Sequence, residues 1–128
     1  SSDNSVTYGS KVVFNSAQTS SSVMVYDTNS DRIVIGYSTN FSSLTGKAIV
    51  GTVSGSSVSF GTAVTFNDKI TKLGVTFDSN SNKVVFSYED ANNSGHGTAI
   101  VLVLEQKQFT KQQIHLILVC VLTLIVIK

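Results

Sequence analysis

The chain repeats itself, and that limits what it can fold into more than any other feature. "YGSKVVFN" at residues 8–15 returns as "FGTAVTFN" at 60–67, a shift of 52. "VYDTNSDRIVIGY" at 25–37 returns as "TFDSNSNKVVFSY" at 76–88, and "GKAIV" at 46–50 returns as "GTAIV" at 97–101, both shifts of 51. A unit of this size, met twice in 128 residues, cannot hide both of its faces by itself, so neighbouring units must stack.

Within each unit the pattern is that of strands. Val23, Val25, Ile33, Ile35 and Tyr37 alternate with small or polar residues, and β-branched side chains dominate. "DTNSD", "DSNSN" and "SGSS" supply turn chemistry between the runs. Four short strands are expected per unit, at 22–27, 32–38, 47–54 and 57–66 of the first copy. A four-stranded antiparallel unit of about 50 residues has the size of a propeller blade.

The stretch "YDTNSDRIVIGY…GKAIVGTVSGSSVSFG" resembles a tandem β-propeller-type repeat found in secreted, viral and environmental proteins, and the resemblance covers residues 1–101. It implies an all-β array of about two blades, incomplete as a ring, serving as a display or binding scaffold. The expected units are 8–59 and 60–101, with a partial copy at 1–7. A β-sandwich is the alternative, since it also uses short strands at this spacing. Two blades expose edge strands, which predicts that further blades or self-association cover them.

Composition excludes several functions. A net charge of +1 with 13% charged residues leaves no basic face for nucleic acid. The lone cysteine, Cys120, permits neither an internal disulfide nor a cysteine metal site. No phosphate-cradling glycine loop, nucleophile elbow or metal-ligand cluster is visible, so no enzyme, cofactor or metal is expected.

Composition also breaks near Val101. All nine glycines, and every serine and asparagine, lie in residues 1–101, whereas six of the eight leucines lie in 102–128. The segment 122–128 can be encoded as TTG ACA CTA ATA GTA ATA AAG. Shifted by one base, that reads "DTNSNK", the repeat's own hairpin turn. We therefore read 102–128 as a frameshifted continuation of the array. The competing reading is a membrane anchor through 114–127, but that run falls short of the roughly 17–20 apolar residues a spanning helix needs.

Two loops invite chemistry. "DTNSD" begins like a calcium loop, yet Arg32 and Ser38 stand where that loop requires Gly and Glu, so a hairpin turn is expected. "EDANNSGHG" at 89–97 places His96 near two carboxylates, while its counterpart "TNFSSLTG" at 39–46 has neither. The sequence shows no pocket or convergent geometry, which favours a solvated loop over an acid–base site. "NFS" at 40–42 and "NNS" at 92–94 also match the N-glycosylation pattern, which is common in chains rich in Ser and Asn.

Comparing the two copies sorts the connections. The "DxNS" and "SGSS" turns are nearly unchanged, whereas 39–46 differs from 89–97 and 16–22 from 68–73. The variable connections should emerge at one end of the strands and the constant turns at the other. The variable end is the expected recognition face, through Asn40, Phe41, Glu89, Asp90, Asn92, Asn93 and His96. A glycan or a surface protein is the expected partner, in an extracellular or virion-surface setting. A secreted propeller hydrolase and a surface protein anchored through the tail are the other readings.

Overall fold

The computed structural model describes residues 3–105. The described chain has no helix. Its strands are β1 (Thr19–Asp27), β2 (Arg32–Thr39), β3 (Gly46–Ser54), β4 (Ser57–Phe60), β5 (Val64–Asn67), β6 (Ile70–Asp78), β7 (Lys83–Asp90) and β8 (His96–Leu102). They form two antiparallel sheets, one ordered β1-β2-β3-β4 with β5 also on β3, the other β6-β7-β8.

The repeat is written into the register. Val25 pairs with Val34 and Val34 with Val50 in the first sheet. In the second, Thr76 pairs with Val85 and Val85 with Val101, each 51 residues on. Equal sequence has folded into equal ladders. The hairpin turns are equally matched: Asp31 and Asn82, again 51 apart, both take left-handed backbone at φ 57° and 55°. Asp and Asn tolerate that conformation better than most residues.

Each sheet has an upper and a lower face. The upper face carries Val34, Gly36 and Ala48 in the first sheet and their counterparts Val85, Ser87 and Ala99 in the second. The lower face carries Ile35, Tyr37 and Ile49, or Phe86, Tyr88 and Ile100. The two sheets stack upper on lower. Val34 and Ala48 of the first form one core with Val84 and Phe86 of the second, flanked by Val23, Val25, Leu73, Val75 and Phe77. Phe86 rests directly on Gly36, where a Cβ would overlap the ring.

A second, smaller core lies beneath the first sheet. Ile35, Tyr37 and Ile49 meet Phe14, Phe60 and Ala63, with Phe14 edge-on to Tyr37 at 5.2 Å. Consequently β2 is covered on both faces, and Val34 through Ser38 are all buried. Its counterpart β7 alternates: Val84, Phe86 and Tyr88 are buried while Ser87 is exposed. Burying the large apolar side chains among them, such as Val34, Ile35, Val84 and Phe86, contributes about 1.5–3 kcal/mol each.

The expected fourth strand arrives in two pieces. β4 pairs with the far half of β3 and β5 with its near half, with a register shift between Gly46 and Lys47. Phe66, in β5, stacks on Phe86 of the other sheet at 5.2 Å and 4° between planes. Residues 102–105 continue from β8, where Leu102 and Leu104 pack against the main core. The rest of the hydrophobic tail, including the anchor reading at 114–127, lies outside the described residues. No helix among the described residues is long and apolar enough to cross a membrane.

Candidate loop face

Antiparallel order brings four connections to one end: those entering β1 and β6, and those following β2 and β7. Hydrogen bonds join them. The Ile70 N–H donates to the Leu44 carbonyl at 2.8 Å, and the Ala91 N–H donates to the Lys69 carbonyl at 3.0 Å. Asn92 Nδ2 reaches the Asp68 carbonyl at 3.3 Å, and the Asn40 N–H donates to the Gln18 carbonyl at 2.8 Å. Residues 68–70 thus bridge the two variable loops into one continuous face.

Both loops place a left-handed residue at the equivalent position but close on different carbonyls, four residues back in the first and five in the second. Leu44 and Gly95 stand 51 apart and both adopt left-handed φ, 51° and 73°. The Leu44 N–H closes on the Asn40 carbonyl at 3.1 Å, and the Gly95 N–H on the Asp90 carbonyl at 2.9 Å. Side chains set the loops apart. Asn40 Oδ1 accepts from the Ser42 and Ser43 N–H groups at 3.1 and 2.7 Å and from both hydroxyls, which rigidifies the first loop. Asp90 Oδ1 accepts from the Asn92 N–H at 3.0 Å in the second.

The predicted residues therefore divide. Asn40, Asp90 and Asn92 hold the loops in shape, and the Asn93 carbonyl accepts the His96 N–H at 3.0 Å. Phe41 stands 67% exposed, and Asn93 and His96 are also exposed. Glu89 and His96 are strand residues rather than loop residues, because pairing of Asp90 with His96 carries the ladder that far. Glu89 turns to the upper face of the second sheet and meets Lys72 Nζ at 2.5 Å. The Lys72 hydrogen bond holds its carboxyl below the ordinary value, and Lys72 in turn is held above its own.

Neither carboxylate near His96 is aimed at it: Glu89 is ion-paired and Asp90 folds into its own loop. The arrangement presents amide, imidazole and aromatic groups at a surface, which suits recognition. Among the described residues no group of three or more His, Cys, Asp or Glu could hold a metal ion. Asp68 and Lys69, which tie the loops together, were not singled out from the sequence. Their only signal is "NDK" at a place where the two copies differ.

The opposite end carries the constant turns. Asp27, 2% exposed, accepts the Asn29 and Ser30 N–H groups at 2.9 and 3.1 Å. Its counterpart Asp78 accepts the Asn80 N–H at 3.1 Å and the Ser81 hydroxyl at 2.6 Å; the hydroxyl, then the amide, lowers its pKa. A cavity of about 750 Å³ opens between the sheets at the β8 side, lined by Ala48, Val50, Val64, Leu102 and Leu104 among others. Comparisons with protein-family models, curated proteins and solved structures find no match for this chain.

Proposed function

We propose that the chain is a non-catalytic repeat scaffold: blade-like units of a propeller-type array that present the β2–β3 and β7–β8 loops as a recognition face. The partner class is a glycan or a surface protein, met outside the cell or at a virion surface. One observation carries this reading. The two loops keep a left-handed residue at the same position, Leu44 and Gly95, and each closes by a backbone hydrogen bond onto the end of the preceding strand, while most of their side chains differ. A shared backbone position with varied chemistry is how a rigid scaffold diversifies a surface. Upper-on-lower stacking of equivalent sheets supports the blade array over a sandwich, in which two like inner faces would meet.

The full chain, probed on a glycan array and against cell-surface protein extracts, should yield a ligand. Replacing Phe41, Asn93 and His96 together by Ala should weaken that binding at least about tenfold while the far-ultraviolet spectrum stays unchanged. Replacing Thr28 and Ser79 by Ala at the opposite end should leave it intact. Binding unchanged by the loop variant, or lost in the opposite-end variant, refutes the reading.

A further inference from the structure

The stacking inside this chain specifies what its two open ends would accept. Each surface used between the sheets occurs a second time, uncovered. The upper face of the first sheet is covered by the second sheet, so Val34 is 0% and Ala48 5% exposed. The equivalent upper face of the second sheet is open: Ala99 is exposed and Val101 is 54% exposed. On the lower side the relation reverses. Val75 and Phe77 pack under the first sheet, while their counterparts Met24 and Tyr26 stand 62% and 49% exposed.

The edges repeat the pattern. β3 is hydrogen-bonded by β4 and β5, residues 57–67. β8, the counterpart of β3, pairs only with β7 and has a free edge among the described residues. The sequence equivalent of 57–67 is 5–15, and in this chain that segment forms no strand. Apart from Phe14, its apolar side chains reach into solvent, with Val6 73%, Tyr8 91% and Val13 77% exposed. An unpaired strand edge at one end and exposed apolar side chains without strand pairing at the other are both features of association sites.

We propose that the chain associates head to tail with a second copy of itself: the upper face and free β8 edge of one copy receive the lower face and residues 5–15 of the next. The internal interface gives the register. Phe60 pairs with Gly51 and Val64 with Ala48. Shifting by 52 and 51 residues sets Tyr8 of one copy opposite Leu102 of the other, and Val12 opposite Ala99. Tyr8 then shares the face of Leu102 and enters the 750 Å³ cavity that Leu102 and Leu104 line. Met24 and Tyr26 come over the upper face of the second sheet, as Val75 and Phe77 lie under the first.

The lower end is already part-formed. Phe66, although hydrogen-bonded into the first sheet, lies on Phe86 and Tyr88 of the second. Its counterpart Phe14 already lies on Tyr37 of its own first sheet at 5.2 Å. Pairing 5–15 with another copy's β8 therefore keeps Phe14 on its own chain and reproduces the connection seen at Phe66. Because the two mating surfaces differ, the contact is heterologous and extends to further copies unless rotation closes it.

The test is complementation in full-length chain, followed by sedimentation velocity and light scattering. Wild type should exceed its 13.6 kDa monomer mass increasingly with concentration. Val101→Asp spoils only the upper end and Tyr8→Asp only the lower. Each alone should associate at least about tenfold more weakly. An equimolar mixture should form a one-to-one dimer, since one good end of each kind remains. Both positions are largely exposed, so folding should survive; Ala99→Lys and Met24→Lys repeat the test from other positions if either variant does not fold. A wild type that stays monomeric overturns the proposal. So do single variants that associate as wild type does, which would place the contact elsewhere, and a mixture that fails to recover the dimer.

Discussion

Leu44 holds a left-handed backbone at φ 51° without a glycine's freedom, and its counterpart Gly95 shows the residue that position favours. A side chain there costs roughly 1–2 kcal/mol. Leu44→Gly should therefore stabilise the fold by about 1 kcal/mol after the entropy gained by the unfolded chain, read as a higher urea midpoint. No change, or a loss, would mean that Leu44 makes packing contacts worth more than its strain. The Lys72–Glu89 pair gives a pH prediction. Glu89 is depressed, so its contribution is present above the ordinary carboxylate value of 4.5 and is lost as pH falls through the depressed one. Lys72 is raised, so its contribution is present below 10.5 and is lost as pH rises through the raised value. Lys72 is exposed and Glu89 only partly buried, so the readout is a carboxyl NMR titration: Lys72→Met should move the Glu89 midpoint upward toward 4.5. Lys72 itself was not legible as a partner, because the irregular pairing of β6 with β7 between Thr71 and Gly74 decides which residues meet.

Among the elements, the strands read most easily and the fourth strand least. Alternation and turn residues placed β2 and β3 to within one residue, whereas β1 begins three residues before the expected start. A continuous strand over 57–66 would point Phe60 and Phe66 to the same side, since they are an even number of residues apart. Instead Phe60 packs beneath the first sheet and Phe66 lies between the sheets. The register shift at Gly46 re-aims Phe66, and Gly46 leaves room for its ring, which stands 2.9 Å from where a Cβ would sit. Periodicity cannot show a bulge, so this was hidden. Phe66→Ala should cost about 2–3 kcal/mol in urea unfolding, below the full range for a buried ring because Phe66 is only partly buried. Phe14→Ala, its counterpart under the first sheet, should cost less, since Phe14 packs on Tyr37 from a segment without strand pairing. Equal losses would indicate that the two rings are equivalent anchors.

At the scale of the molecule, the repeat foretold two like units but could not foretell which faces meet, since both copies carry the same pattern. The asymmetry sits in single residues. Gly36 admits Phe86, whereas the reverse meeting would set Ile35 against Ser87. The site was legible to the same depth: shared end and varied loops could be read from strand order, but not which polar groups the loops consume internally. The architecture predicts a gradient of protection in amide hydrogen exchange. β2 and β7 are paired along both edges and should exchange most slowly, β2 slowest of all because side chains cover both its faces. Residues 5–13 should exchange fast, as should the outward amides of β8, which have no partner strand among the described residues of the single chain. Concentration separates the free from the stacked state. If β8 and residues 5–15 gain protection together as the protein is concentrated, each is pairing with the other across copies. Protection that grows at β8 alone would assign its edge to a different strand.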